Sequence, residues 1–196
     1  MTTSTSSTAR PRLIVGITGA SGVIYGVRLL DALHAAGIET HLVMSRSAEI
    51  TLAHETNLKV AEVRERADVV HAHSDIAASI SSGSFRTMGI IIAPCSVRSM
   101  SEIATGVTSS LLTRAADVVL KERRKLVLMV RETPLHTGHL RTMVALSEMG
   151  AIIAPPVPAF YSRPQTIDAV VDHSVGRVLD LFGIENDLAS RWKEPG

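Results

Sequence analysis

Residues 13–22 read LIVGITGASG, and this stretch decides the fold. An apolar run ends in a glycine-rich turn that carries the hydroxyls of Thr18 and Ser21, and a helical pattern follows directly. A strand, turn and helix in this order leave backbone N–H groups free at the positive end of the helix, where an anion binds favourably. The stretch therefore predicts a βα unit that cradles the phosphate of a nucleotide-like ligand.

Composition limits the size and class of the protein. The chain has 196 residues, of which 45% are hydrophobic. It is therefore long enough to form one well-buried hydrophobic core but too short for two domains with a core each. Its 20 basic and 19 acidic residues give a formal charge of +1, which implies no general attraction to nucleic acid or membranes. The single cysteine, Cys95, excludes an internal disulfide, and no apolar run approaches the roughly 20 residues that cross a bilayer. We expect a soluble, cytoplasmic, single-domain protein.

Strand-like and helix-like segments alternate after a Ser/Thr-rich beginning. Residues 1–11 lack periodicity and are interpreted as a flexible tail, so a single domain is expected to span 12–196. The all-isoleucine run 90–92 indicates a strand buried on both faces, as in parallel sheets covered by helices. We predict one doubly wound, three-layer α/β domain with a parallel sheet, Rossmann-like or flavodoxin-like. After the first strand, further strands are predicted at 38–44, 88–93, 126–130 and 151–154, and helices at 23–36, 48–54, 109–123, 138–149 and 166–182.

The segments that follow the predicted strands are expected to form one rim. Ligands of doubly wound sheets bind beyond the carboxyl ends of the strands, where the strand order reverses. These segments are rich in hydroxyls and arginines and include one carboxylate, Glu132, which suits phosphate binding and a proton transfer. They comprise residues 19–22, 45–47, 94–99, 131–134 and 155–163.

The end of the second predicted strand argues against a nicotinamide cofactor. Dinucleotide-binding enzymes commonly carry Asp or Glu there to hold the ribose hydroxyls, whereas this chain has Met44 and Ser45. A mononucleotide is therefore favoured over NAD. The alternative remains that the glycine turn merely packs a helix against a strand.

Six motifs in fixed order closely resemble the UbiX-type flavin prenyltransferases. The resemblance runs from Arg12 to about Trp192. It implies an enzyme that transfers a dimethylallyl group from dimethylallyl phosphate to reduced FMN, at N5 and C6. The product, prenylated FMN, is the cofactor of UbiD-type decarboxylases and links the family to ubiquinone biosynthesis. The motifs are GASG at 19–22, PCS at 94–96, RAADV at 114–118, KERR at 121–124, RETPL at 131–135 and PPVPAFY at 155–161.

The resemblance also implies residue roles. Two positions depart from the usual pattern of the family. The family more often has Met or Thr where this chain has Val97, and Thr where it has Ser99, which still retains a hydroxyl. The implied cofactor-binding residues are Gly19, Ala20, Ser21, Ser45, Ser96, Val97, Arg98, Ser99 and Arg131. The implied substrate-binding residues are Lys121, Arg131, Glu132, Tyr161, Arg177 and Trp192. The implied catalytic residues are Glu132, Lys121, Ser21 and Glu55.

These residue types suit the chemistry. Breaking an allylic C–O bond leaves negative charge on the phosphate, so cations and hydrogen-bond donors are needed around the leaving oxygens. Lys121, Arg131, Arg177 and Tyr161 can supply them, and Glu132 can pass a proton to the leaving group. We expect no metal requirement, because no acidic pair typical of magnesium diphosphate sites is present.

Several of these residues have simpler interpretations. Lys121 also suits a helix end, where a cation complements the dipole, and Arg177 suits a solvated helix face. Cys95 fits a small buried residue better than a nucleophile. The pairs His71/His73 and His136/His139 have spacings that can bind metal, but neither has a clear third ligand.

The resemblance implies a large homo-oligomer, often a dodecamer, with sites at subunit junctions and prenyl phosphate residues from more than one chain. Two alternatives come from other classes: a noncatalytic flavin-binding subunit of a hydroxyarylic acid decarboxylase, and a flavin-dependent cysteine decarboxylase of related fold. The retained Lys121, Glu132, Tyr161 and Arg177 disfavour the first. The cysteine decarboxylase is disfavoured because its characteristic catalytic histidine and asparagine-rich segments are not recognisable in this chain. A plain dehydrogenase comes last because of Ser45.

Overall fold

The computed structural model describes residues 10–189, which contain six strands and seven helices. Two single 3₁₀ turns, at Ser79–Ser81 and Phe160–Ser162, complete them. The strands are β1 (Arg12–Ile17), β2 (Glu39–Met44), β3 (Val69–His71), β4 (Gly89–Cys95), β5 (Lys125–Val130) and β6 (Ile152–Ile153). The helices are α1 (Val23–Ala35), α2 (Arg46–Glu55), α3 (Val60–Arg64), α4 (Val97–Ala104), α5 (Leu111–Lys121), α6 (Thr137–Glu148) and α7 (Ile167–Asp180).

All six strands are parallel and lie in the order β3-β2-β1-β4-β5-β6. The order reverses between β1 and β4, where Gly16 pairs with Val43 on one side and with Ile92 on the other. This arrangement confirms the predicted doubly wound α/β fold and puts the binding crevice at the carboxyl ends of β1 and β4.

The sheet is buried on both faces, which explains its apolar strands. Leu13 and Val15 of β1 belong to a core shared with α1 and α7, whereas Ile14 between them belongs to a second core shared with α5. All three are at most 1% exposed. Successive side chains of a strand point to opposite faces, so a continuous apolar run forms both cores of a three-layer domain.

Helix α1 packs closely against the sheet because of Gly26. A Cβ at this position would lie 2.3 Å from the carbonyl oxygen of Ala93 and 2.7 Å from Cδ1 of Ile17. The glycine therefore lets the helix that begins beside the glycine-rich turn approach both β1 and β4.

Three elements were not predicted from the sequence: α3, β3 and α4. Strand β3 has only three residues, and a strand that short shows no periodicity. Helix α4 was read as a loop, although Ser96 caps it by accepting a hydrogen bond from the Ser99 N–H at 3.2 Å. The sequence does contain a signal for this helix. Ser96 is followed by apolar residues three positions apart, at Val97, Met100 and Ile103, which is typical of a capped helix.

The first described residues belong to the fold. Arg10 donates hydrogen bonds to Asp68 at 2.8 Å and to the carbonyl oxygens of Gly37 and Ile38. Burial of Asp68 opposes its ionisation, but hydrogen bonds from Arg10 and Thr40 outweigh burial and lower the pKa of Asp68 to about 2. Arg10 and Pro11, which the sequence analysis assigned to the tail, thus contact the fold.

Residues 1–9 and 190–196 lie outside the described part, and with them most of the predicted tail and Trp192. Within residues 10–189, no helix is long and apolar enough to span a membrane.

Candidate active site

Thr18 joins the two loops at the switch point. Its hydroxyl donates to the carbonyl oxygen of Pro94 at 2.7 Å and accepts from the Ser96 N–H at 2.8 Å. The side chain is 1% exposed, so both groups are satisfied without water. The sequence singled out Thr18 as a hydroxyl of the turn but missed that it fixes the loop after β4.

Thr18→Val keeps the shape of this side chain and removes the hydroxyl. We expect the free energy of unfolding to fall by about 1–3 kcal/mol, because the part-buried N–H of Ser96 loses its partner and the Pro94 carbonyl keeps only the bond from the Thr18 N–H. Urea denaturation measures the change. Thr142→Val is the matched control, since that hydroxyl bonds only the Gly138 carbonyl of its own exposed helix turn; an equal loss in both variants would contradict the assigned role.

A cavity of about 410 Å³, here called the serine cavity, opens beside this junction. Ligand sites typically have volumes of about 300–1,000 Å³. Its walls bring together five of the residues predicted to bind a cofactor, namely Gly19, Ser45, Ser96, Arg98 and Ser99. None of its lining side chains is apolar.

Three helices begin at the serine cavity. Their N-caps Ser45, Ser96 and Ser110 accept hydrogen bonds from the N–H groups three residues later, and all three serines line the cavity. Helix amino termini carry partial positive charge. Arg46 and Arg98 add full charges, and only Glu102, paired with Arg98 at 2.9 Å, opposes them. The cavity is thus suited to a phosphate group.

Sequence reasoning missed more than half of the cavity wall. The missed lining residues are Arg46, Ser47, His73, Glu102, Ser109 and Ser110. Arg46 and Ser47 stood in a segment already assigned to the rim, and the position of Ser109 and Ser110 before an apolar helical pattern was an available signal. His73 follows the unpredicted β3 and was considered only as half of a metal-binding pair with His71, and Glu102 lies on the unpredicted α4.

Four predicted cofactor residues do not line the serine cavity: Ala20, Ser21, Val97 and Arg131. Val97 packs against the core on the α5 face of the sheet. Ala20 and Ser21 lie in the turn after β1, outside the cavity wall.

A carboxylate occupies the amino terminus of α1, where the sequence placed a phosphate. Glu55 accepts hydrogen bonds from the Gly22 N–H at 2.9 Å and from the Val23 N–H at 3.1 Å. Glu55 thus takes two of the backbone N–H groups at this helix end, and the prediction that the helix end cradles the ligand phosphate stays a prediction. The beginnings of α2, α4 and α5 offer a further position suited to an anion, at the serine cavity.

Glu55 is held in its charged form by the same contacts. Partial burial raises its pKa, but hydrogen bonds from Ser21, Gly22 and Val23 and the charge of Arg131 outweigh burial, and the net pKa lies below the ordinary value of 4.5. Ser21 and Glu55, both predicted catalytic residues, are thus in direct contact.

The depressed pKa predicts how stability depends on pH. The stabilising contribution of Glu55 should be fully present above pH 4.5, and should be lost as pH falls from there through the lower pKa of the folded state. Urea denaturation of the wild type and Glu55→Gln at several pH values should therefore show a stability difference that shrinks on acidification. Asp75→Asn provides a control on an exposed carboxylate; a difference that grew below pH 4.5 would contradict the assignment.

The charge of Arg131 acts on both Glu55 and Tyr25. Burial raises the pKa of Tyr25, whereas the positive charge of Arg131 and a hydrogen bond with Ser174 act in the opposite direction. The Arg131 N–H also donates to the Cys95 carbonyl at 3.1 Å, which fixes the loop after β5 to that after β4. Tyr25 was not singled out in the sequence.

A second cavity of about 400 Å³, here called the tyrosine cavity, lies beyond β6 and against α7. It contains Tyr161 and Arg177, which the resemblance assigned to substrate binding, together with His173 and Ser174. The Tyr161 hydroxyl lies 3.0 Å from Nε2 of His173, and Arg177 pairs with Asp180 at 2.8 Å. The remaining wall is largely apolar and includes Met129, Ile152 and Val157, so the cavity suits a small apolar group attached to an anion.

Three of the predicted substrate residues that the structure describes do not line this cavity: Lys121, Glu132 and Arg131, the last of which lies in the loop after β5. Lys121 ends α5 near the amino ends of β4 and β5, the opposite edge of the sheet from the rim, where it pairs with Glu122. Glu132 lies on the rim but is exposed and accepts a hydrogen bond from the Thr133 N–H. The structure does not place Lys121 and Tyr161 in one site of one chain.

Cys95 and one histidine of each pair, His71 and His136, have structural roles. Cys95 is fully buried, and burial raises the pKa of its thiol to about 12. His71 contacts His41 at 3.0 Å, and His136 caps α6 by accepting from the Gly138 N–H. Residues 10–189 hold no group of three or more His, Cys, Asp or Glu placed to bind a metal ion.

A parallel sheet of this order, with a polar, positively charged cavity at its switch point, defines an α/β nucleotide-binding protein. A family model described as Flavoprotein matches residues 1–179. The flavin prenyltransferase UbiX of Escherichia coli K12 is 61% identical over 185 residues, which cover 93% of this chain and 98% of the relative. The chain therefore belongs to the flavoproteins and, within them, to the UbiX-type flavin prenyltransferases, a family of transferases.

Solved structures agree with this assignment. AnUbiX (PadA1), in complex with FMN and dimethylallyl pyrophosphate, matches with a TM-score of 0.93 and 48% identity, over 95% of this chain and 100% of the other. A dodecameric FMN-dependent UbiX-like decarboxylase from Escherichia coli O157:H7 matches with a TM-score of 0.91 and 53% identity, over 93% of this chain and 100% of the other.

Proposed function

We propose that this protein transfers a dimethylallyl group from dimethylallyl phosphate to reduced FMN, at N5 and C6, and so makes prenylated FMN for a UbiD-type decarboxylase. The observation that carries the proposal is the presence of two separate cavities suited to anions, the serine cavity at the carboxyl ends of β1 and β4 and the tyrosine cavity beside β6 and α7. Joining two phosphate-bearing substrates requires two such sites. The similarity to a protein whose complex contains FMN and dimethylallyl pyrophosphate supports the same pairing.

The serine cavity fits the phosphate-bearing end of FMN. Its serine N-caps, its two arginines and its lack of apolar walls match a ribityl phosphate better than an aromatic ring. In the proposed site, Ser45, Ser96 and Ser99 donate to this end, and Arg131 faces the flavin from the neighbouring loop. When bound, reduced FMN supplies the electron-rich atoms to which the dimethylallyl group becomes attached.

The tyrosine cavity fits the dimethylallyl phosphate. Its apolar wall accommodates the five-carbon chain, and Tyr161 and Arg177 stand where they can donate to phosphate oxygens. Donors that strengthen their bonds as charge develops on the leaving phosphate lower the barrier to C–O cleavage. Ser174 of this cavity forms a hydrogen bond with Tyr25, which also feels the charge of Arg131. In the proposed site, this contact directs the bound dimethylallyl phosphate toward the flavin beside Arg131.

Two carboxylates have different proposed roles. Glu132 is exposed on the rim and passes a proton to the leaving phosphate. Glu55 instead stays ionised, because Gly22, Val23 and Ser21 donate hydrogen bonds to it, and it orients the Ser21 hydroxyl beside Arg131.

The remaining residues require an assembly. Lys121 lies at the opposite edge of its own sheet, so we propose that another subunit supplies it to the site, within a homo-oligomer that is a dodecamer like the similar decarboxylase from Escherichia coli O157:H7. Trp192, outside the described residues, retains its predicted contact with substrate as part of this proposal. A cytoplasmic location accords with a single, buried cysteine.

The test is anaerobic. The protein is mixed with reduced FMN and dimethylallyl phosphate, and the extracted flavin is analysed by mass spectrometry. A mass gain of one five-carbon unit, lost in Glu132→Gln, is the expected result. Dimethylallyl diphosphate is run in parallel to determine the preferred donor.

Glu185→Gln serves as the matched control, because that carboxylate is exposed and distant in sequence from the rim loops. Tight FMN binding without any mass gain from either donor would overturn the proposal and favour a noncatalytic flavin-binding subunit.

A further inference from the structure

His73 lines the serine cavity, and neither the fold nor the proposed reaction has so far used it. It follows β3, and its carbonyl oxygen accepts a hydrogen bond from the Leu111 N–H at 3.0 Å. This bond ties the segment to the beginning of α5, beside Ser109 and Ser110 of the cavity wall. The position of the histidine is therefore fixed by the scaffold.

One ring nitrogen of His73 has no partner. Nδ1 is buried and makes no hydrogen bond within the described residues. Burying an N–H without an acceptor is costly, so the proton of the neutral ring belongs on Nε2. Nε2, which is not among the buried unpartnered atoms, is the accessible nitrogen of a ring that forms part of the cavity wall.

The charges around His73 keep the ring neutral. Burial lowers its pKa, and Arg46 of α2 and Arg98 of α4 lower it further, against the opposing charges of Glu102 and Glu49 on the same two helices. His73 is thus an uncharged N–H donor in a cavity whose positive charge comes from the two arginines and three helix ends.

We infer that the Nε2–H of His73 donates a hydrogen bond to the phosphate-bearing end of FMN and helps the serine cavity select FMN over riboflavin. The inference rests on the proposed binding of FMN. It assigns His73 a role in ligand specificity and leaves the transfer chemistry to the residues of the rim and the tyrosine cavity.

The experiment compares two flavins that differ only in the phosphate. Dissociation constants of FMN and riboflavin are measured by flavin fluorescence with the flavin-free, full-length protein. His73→Phe should raise the dissociation constant of FMN about tenfold and change that of riboflavin less than about twofold, because one hydrogen bond to a charged group is lost. His73→Gln, whose side-chain amide nitrogen can replace Nε2, should restore most of the preference for FMN.

His71→Gln is the matched control. His71 is equally half-buried two residues away, but its Nε2 bonds His41 and it does not line the serine cavity. This variant can lose stability, yet its ratio of the two dissociation constants should equal that of the wild type.

A second measurement needs no stable variant. The pKa of His73 in the wild type, followed by NMR, should rise when FMN binds and stay constant with riboflavin, because phosphate stabilises the protonated ring. An unchanged pKa with FMN, or equal weakening of both flavins in His73→Phe, would overturn the inference. If the wild type binds no FMN at all, the proposed function itself fails, and the two failures are thereby distinguished.

Discussion

Gly19→Ala is expected to abolish FMN binding. A Cβ at position 19 would lie 2.3 Å from the Cβ of Ser47 and 3.1 Å from its backbone carbon, far inside van der Waals contact. Because the contact includes the backbone at the beginning of α2, no side-chain rotation relieves it. Helix α2 must move, and Ser45, Arg46 and Ser47 of the serine cavity move with it.

We expect the dissociation constant of FMN to rise at least about 100-fold, as when several well-placed donors to one charged group are displaced together. Equilibrium titration of flavin fluorescence measures it. Gly37→Ala is the control: its φ of 70° is strained for alanine, but no atom lies within 4 Å of the added Cβ. That variant should lose about 1–2 kcal/mol of stability and bind FMN normally. Normal binding by Gly19→Ala would show that the ligand does not use this cavity.

Mixed oligomers of two inactive variants are expected to recover activity. Lys121→Ala and Arg177→Ala should each lower prenyl transfer about 100-fold or more, the usual effect of removing one charge-stabilising donor. Lys121 ends α5, which packs on one face of the sheet, whereas the tyrosine cavity is lined by α7, which packs on the other face. If each site combines the two residues from different subunits, random co-assembly leaves roughly one quarter of the sites with both residues intact.

Co-expression with two affinity tags isolates the mixed oligomers, and mass analysis of the extracted flavin measures their activity. Arg123→Ala is the matched control for Lys121, since it removes an exposed cation two residues away. Mixed oligomers as inactive as their parents would contradict a shared site. A monomer that retained full activity would contradict it equally.

The sheet was predictable from the sequence because a strand that is buried on both faces has a recognisable local pattern of apolar residues. Strands such as β4 are uninterrupted apolar runs, and the amphipathic helices between them fall within two residues or so of their predicted ends. Short elements have no such pattern. The segment after β3 and helix α4 carry part of the cavity wall, and without these two elements the sequence did not place His73 and Glu102 in the site.

The candidate site was predictable only in part, because long-range contacts decide which groups remain free. The turn at 19–22 is where the sequence placed it, but Glu55 lies 33 positions from Gly22 and takes two of the backbone N–H groups at this helix end. Lys121 shows the same limit, since sequence order cannot tell whether a residue serves its own chain or a neighbour.

The burial of Cys95 makes this protein convenient to label. The only thiol of the chain is inaccessible and has a pKa of about 12, so at neutral pH it offers a maleimide almost no thiolate. A cysteine introduced at an exposed position such as Ser82 would therefore accept a fluorophore selectively. Donor-labelled and acceptor-labelled populations could then report the kinetics of subunit exchange by energy transfer, with the native sulfur left untouched.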